Sequence, residues 1–116
     1  MTLQDLFQEK PTKLWNERMV KYKDEIFTEE RLQMSDRALD HFLNQLIAVQ
    51  DTKASERIMK VVEEVVVAFN KMNEDNDYFI ETMEREELAG FIDKAARLAG
   101  LIPQEGEDIT EEWREW

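Results

Sequence analysis

The chain has 116 residues, 36% of them charged, and no cysteine, which is one domain's worth of sequence without disulfides or thiolate metal ligands. Its formal net charge of −12 disfavours nucleic acid and anionic membranes, both of which are recognised through Lys and Arg. Three glycines and two prolines are too few for a turn-rich all-β chain, and no apolar run approaches the ~20 residues needed to cross a bilayer.

Met1-Thr2-Leu3-Gln4-Asp5-Leu6-Phe7 lacks the basic start and long apolar stretch of a signal peptide, so a cytoplasmic protein is the default expectation. Thr2 can cap a first short helix, with Asp5 three residues on as in a capping box. Pro11 disfavours helix at Lys10 and interrupts that segment. A second short helix then runs from Pro11 or Thr12 to about Tyr22, with Leu14, Trp15, Met19 and Val20 on or near one face. Lys10, Lys13, Arg18, Lys21 and Lys23 make this the only basic segment. It has no glycine-rich phosphate loop, and attraction to the acidic second half is the role its charge suggests.

Residues 22–28 read as a break. Thr28 is placed to cap a long helix to about Val49, with Glu29 and Glu30 in the favoured first turn. Leu32, Leu39, Phe42, Leu43 and Leu46 form its apolar stripe. Asp51-Thr52-Lys53 connects onward, and Thr52 or Ser55 caps the next helix. Ile58, Val62, Val65, Phe69 and Met72 recur there at steps of three and four. The valine-rich run 61–67 could suggest a strand, but the interior Glu63-Glu64 pair and the helical flanks decide for helix. An acidic elbow, Asn73-Glu74-Asp75-Asn76-Asp77, leads to a further helix carrying Leu88, Phe91, Ile92, Ala95, Leu98 and Ala99. Gly100 suits its left-handed cap, and Pro103 follows. So short an elbow sets the two arms antiparallel and face to face, as a hairpin around which the rest is organised. After a loop over residues 101–106, Asp108 or Thr110 caps a last short helix of residues 111–116, which places Trp113 and Trp116 on one face. The expectation is an all-α single domain over residues 1–116. It is a bundle of about four main helices with short accessory helices at both ends.

Little in this sequence carries catalytic chemistry. The elbow has calcium-loop spacing, with Asn73, Asp75 and Asp77 at the first, third and fifth positions and Glu84 at the twelfth. Tyr78 stands where such a loop needs glycine, and Asn73 where it begins with Asp. A turn in which Asp77 caps the following helix is the simpler reading. His41 beside Asp40 has no second histidine to join it. The pairs Asp36/Asp40, Glu63/Glu64 and Glu84/Glu87 read as solvated faces, and Ser35 and Ser55 lie in no nucleophile motif. No enzyme activity and no cofactor are expected. Gly90, with Ala89, Ala95, Ala96 and Ala99, forms a small-residue surface suited to close helix packing or to a receiving groove. Trp113 and Trp116 either cover the open end of the hairpin or anchor another protein.

Tyr22-Lys23-Asp24-Glu25-Ile26-Phe27, residues 39–46, Ala68-Phe69-Asn70-Lys71-Met72, Ile80-Glu81-Thr82, Phe91-Ile92-Asp93-Lys94-Ala95 with Gly100, and the ending Arg114-Glu115-Trp116 carry a pattern. Over residues 20–116 it resembles a family of small uncharacterised bacterial proteins, a domain of unknown function. That family's pattern has proline where this chain has Thr28, and a shorter loop before the terminal segment. The resemblance implies an all-helical fold and no activity, and the elbow acids are not part of what matches.

Charge is unevenly placed. Residues 1–58 hold nine Lys/Arg against eleven Asp/Glu, and residues 59–116 six against sixteen. The acidic half either keeps a small protein soluble or docks a basic partner. The expected function is therefore a non-enzymatic acidic binding protein, such as a bacterial immunity or inhibitor protein that neutralises a basic partner protein. Glu105, Glu107, Asp108, Glu111, Glu112, Trp113 and Trp116 are its candidate contact residues. A calcium-responsive carboxylate module and a homodimer built on the Gly90 face are the alternatives.

Overall fold

The computed structural model describes residues 1–23, 27–52 and 54–116. Asp24, Glu25, Ile26 and Lys53, which fall in the expected break and in the second connection, lie outside the described residues. Four α-helices follow a short 3-10 turn, Gln4–Gln8: α1, Pro11–Tyr22; α2, Glu29–Val49; α3, Ser55–Asp75; and α4, Thr82–Ala99. No strand occurs among the described residues, so the fold is an all-α bundle. None of these helices is long and apolar enough to cross a membrane.

The helix starts follow local chemistry. Pro11 occupies the first position of α1, where its missing N–H costs nothing. The Thr28 hydroxyl accepts the Arg31 N–H at 3.1 Å and so caps α2. Neither Thr52 nor Ser55 caps α3. Ala54 stands at the cap, and Thr52 Oγ1 instead donates to Val49 O at 2.6 Å, closing the end of α2. At the far end of α4, Gly100 adopts the left-handed conformation (φ 118°). Its N–H donates to Arg97 O, and Leu101 N–H donates to Ala96 O, the paired bonds of a Schellman cap.

The core follows the apolar stripes and then widens. Leu32, Leu39, Phe42, Leu43 and Leu46 of α2 are buried, as are Leu88, Phe91, Ile92, Ala95 and Ala99 of α4. Helix α3 buries Ile58, Val62, Val65 and Phe69 as its spacing predicts, and also Val61 and Val66. This breadth has a reason. Helix α2 packs most extensively against α3, and α2 also touches α1, α4 and the N-terminal turn. The centre of the bundle is thus α2 rather than the α3–α4 hairpin. Helix α1 is the exception to its predicted face: it buries Trp15, whereas Leu14 and Val20 are exposed. Trp15 stacks on Phe27 with ring centroids 5.4 Å apart, and Phe27 meets Phe79 edge-on at 5.9 Å. These rings join the start of α2 to the α3–α4 connection.

The last predicted helix does not form. Residues 101–116 make turns, and the segment lies along α3 as a strap. A stretch this short gains few helical hydrogen bonds, and burial of Ile109, Thr110 and Trp116 governs its path instead.

Candidate functional site

Two regions carry the predicted site residues. The elbow differs from its expected form because α3 continues to Asp75 and α4 starts only at Thr82. Between them Phe79 and Ile80 are buried, which draws the chain inward and leaves Asp77 exposed. Asp77 does not cap α4. Glu81 does, in a reciprocal capping box: its side chain accepts from the backbone of Glu84, and Glu84 Oε1 accepts the Glu81 N–H at 3.2 Å. Buried Asn73 shapes the turn from inside, its Oδ1 accepting the Ile80 N–H and its carbonyl the Tyr78 N–H, both at 2.8 Å. Tyr78, at the position where a calcium loop has glycine, adopts a left-handed conformation all the same (φ 54°).

The four residues with calcium-loop spacing face different partners. Asn73 is spent on the backbone, Asp75 pairs with Lys71 at 3.1 Å, Asp77 with Arg31 at 2.9 Å, and Glu84 with Arg18 at 3.1 Å. Among the described residues, no three His, Asp or Glu side chains converge as metal ligands would. His41 is exposed on α2.

Two pairs expected to be solvated faces are instead ion-pair centres. Glu84 and Glu87 of α4 hold the Arg18 guanidinium of α1. Glu87 takes it in bidentate fashion, at 2.6 and 2.9 Å, and also accepts the Trp15 Nε1–H at 3.3 Å. The Glu84 side chain is only 8% exposed. Asp36 and Asp40 of α2 hold Lys10 at 2.9 and 2.6 Å, and Asp36 accepts the Thr12 hydroxyl at 2.7 Å. Burial alone would raise the Asp36 carboxyl, but the hydrogen bonds from Lys10 and Thr12 outweigh it and hold it below the ordinary carboxylate value.

The strap is the second region. Asp108 Oδ1 accepts from the Thr110 backbone and hydroxyl at 2.9 and 2.6 Å, and its Oδ2 accepts from Arg114 at 2.7 Å. Here too burial would raise the carboxyl, but the Thr110 bonds and the Arg114 charge outweigh it and lower the pKa. Arg114 in turn lies over the Trp116 ring, 5.5 Å from its centroid. Trp116 is 8% exposed and donates its Nε1–H to Val66 O at 3.4 Å, while Trp113 is half-buried. Both therefore serve the bundle in this state, through a non-helical strap rather than one shared helical face.

Asn70 was not among the predicted site residues. Its Nδ2 donates to Trp113 O at 2.8 Å, and its Oδ1 accepts the Glu115 N–H at 2.9 Å. One amide thus grips the strap backbone from both sides. The only local signal was a polar side chain one turn beyond Val66 on an otherwise apolar flank. Its partners lie 43 and 45 residues away, beyond the reach of any local pattern.

Apart from Ile102, Gln104 and Gly106, what faces outward from the strap is acid. Glu105, Glu107, Glu111, Glu112 and Glu115 are exposed, and no ion pair holds any of them among the described residues. Gly90 is exposed beside a shallow groove bordered by Leu6, Pro11, Leu14 and Phe91, and a Cβ there would meet nothing within 4 Å. Its role is not close packing within the chain. In comparisons with known proteins, no family model, no curated protein and no solved structure matches this chain.

Proposed function

We propose that the chain is a non-enzymatic binding protein whose acidic strap face docks a basic partner protein, in the manner of an immunity or inhibitor protein. The observation that carries this reading is how the cations are used. Lys10 and Arg18 are drawn into part-buried pairs with Asp36, Asp40, Glu84 and Glu87, and Arg31 and Arg114 into exposed pairs with Asp77 and Asp108. Among the described residues, no ion pair holds the exposed glutamates at positions 105, 107, 111, 112 and 115, which lie close together in sequence on one segment. A charge excess of this kind steers an oppositely charged surface toward one face.

The test is capture of a partner on the immobilised chain, followed by a salt titration. A basic protein should be retained at about 0.05 M salt and released toward about 0.5 M, as the screening length shortens to a few ångströms. Replacing Glu111 and Glu112 by lysine should lower retention at low salt. Retention that ignores both salt and charge reversal would refute the reading.

A further inference from the structure

We infer that residues 102–116 form a detachable strap, which opens as a unit while the four helices stay folded. The observation behind this is where the hydrogen bonds of the segment go. Most close within it: Glu107 N–H to Gln104 O, Thr110 and Arg114 to Asp108, Glu111 N–H to Asp108 O, and the Trp113 and Arg114 N–H groups to Thr110 O. These bonds do not depend on the helices, so opening does not break them. Among the described residues, beyond the Leu101 bond that completes the α4 cap, the bonds that cross to the bundle come from Asn70 and Trp116. The remaining attachment is burial of Ile109, Thr110 and Trp116, with Trp113 packed part-buried against the core.

The hinge is equally local. Past the left-handed Gly100 and the buried Leu101, Ile102 is 92% exposed and Pro103 follows it. A connection that packs against little can rotate without disturbing α4. By contrast, the central helices share an apolar core along their whole buried faces. Segments with few crossing bonds and few buried anchors open at lower free energy than the core.

Opening would change what the surface offers. In the closed state Trp116 is covered and can anchor nothing outside the chain. In the open state Ile109, Trp113 and Trp116 become available beside Glu105, Glu107, Glu111, Glu112 and Glu115. The consequence for docking rests on the acidic-face reading above; the opening itself needs no partner.

Amide hydrogen exchange of the full chain tests the opening and leaves the partner question aside. The Glu115 N–H, held by Asn70, and the Trp116 indole N–H, held by Val66 O, are the strap groups that opening frees, and both should be protected from exchange at least about tenfold less than the core amides of α2 and α3, with little dependence on low urea. Asn70→Ala should speed the Trp116 indole N–H by a further factor of about ten, the worth of the hydrogen-bond pair lost at Asn70, and leave the core amides unchanged. Equal protection of these two groups and the core amides in the unmodified chain would overturn the inference, and that arm stands whether or not the variant folds. A Trp116 indole N–H indifferent to Asn70→Ala would overturn it as well.

Discussion

Replacing Gly90 by alanine isolates one physical term. Gly90 lies midway along the 18-residue α4, is exposed, and would present a new Cβ to no atom within 4 Å. The substitution therefore adds no clash and removes no contact. What remains is helix propensity, which favours alanine over glycine by about 0.8–1 kcal/mol in a helix interior. Much of that difference arises in the unfolded chain, where glycine has more conformations to lose. For a chain of this size the gain corresponds to about 4 °C in Tm. Urea unfolding followed by helical circular dichroism should show a higher midpoint with an unchanged slope, since the area exposed on unfolding is the same. An unchanged or lower midpoint would refute the reasoning. It would mean that something outside this chain approaches the backbone at Gly90, as in the homodimer alternative, and sedimentation of the two proteins would then show a difference in mass.

Two further substitutions test the ion-pair centres. Arg18→Leu leaves Glu84, nearly buried, beside Glu87 without a counter-charge, and should cost about 2–3 kcal/mol in urea unfolding at neutral pH, somewhat below a fully buried pair because Arg18 is partly wet. Arg18→Lys, which keeps the charge but loses the two-pronged contact with Glu87, should cost about 1 kcal/mol, and equal costs for the two variants would refute the assignment. Asp36 titrates below its unfolded value, so the folded state binds fewer protons than the unfolded state in that interval. Its contribution is then complete above about pH 4, the unfolded value, and is lost as pH falls through the lowered folded one. The gap in urea midpoint between the unmodified chain and Asp36→Asn should accordingly be constant from pH 7 to 5 and narrow below about pH 4; a gap that persists at pH 2–3 would refute the assignment.

The helices were legible because each announces itself locally. The apolar stripe of α2, the left-handed cap at Gly100 and the Thr28 cap all rest on residues within a turn or two of one another. What could not be read depends on distant partners. Trp113 and Trp116 have helical spacing, but the grip of Asn70 and the burial of Trp116 against α3 hold them in turns instead. Asp77 is a good cap by type, yet burial of Phe79 and Ile80 postpones α4 to Thr82. Adjacent acids on one helix face, Glu84 with Glu87 and Asp36 with Asp40, look solvated until α1 and the residue before it bring Arg18 and Lys10 to them. Leu14 and Val20 fail as core residues for the converse reason: α1 lies over the bundle on a narrow strip around Trp15.

The proposed docking face and the strap combine into a division of labour. Exposed glutamates act at a distance, so their effect falls on the rate of encounter and fades with salt. A covered tryptophan acts only on contact, and only in molecules whose strap is open. A partner that used Trp116 would therefore bind with its intrinsic affinity reduced by the open fraction. Asn70→Ala raises that fraction without altering any exposed charge. It should tighten such a partner by the same factor by which it speeds strap exchange, while the salt dependence of association stays as it was. Charge reversal at Glu111 and Glu112 should do the opposite, slowing association while leaving strap exchange alone. If a partner responded to both kinds of change through one rate constant, the acids and the aromatic anchor would be one contact and not two.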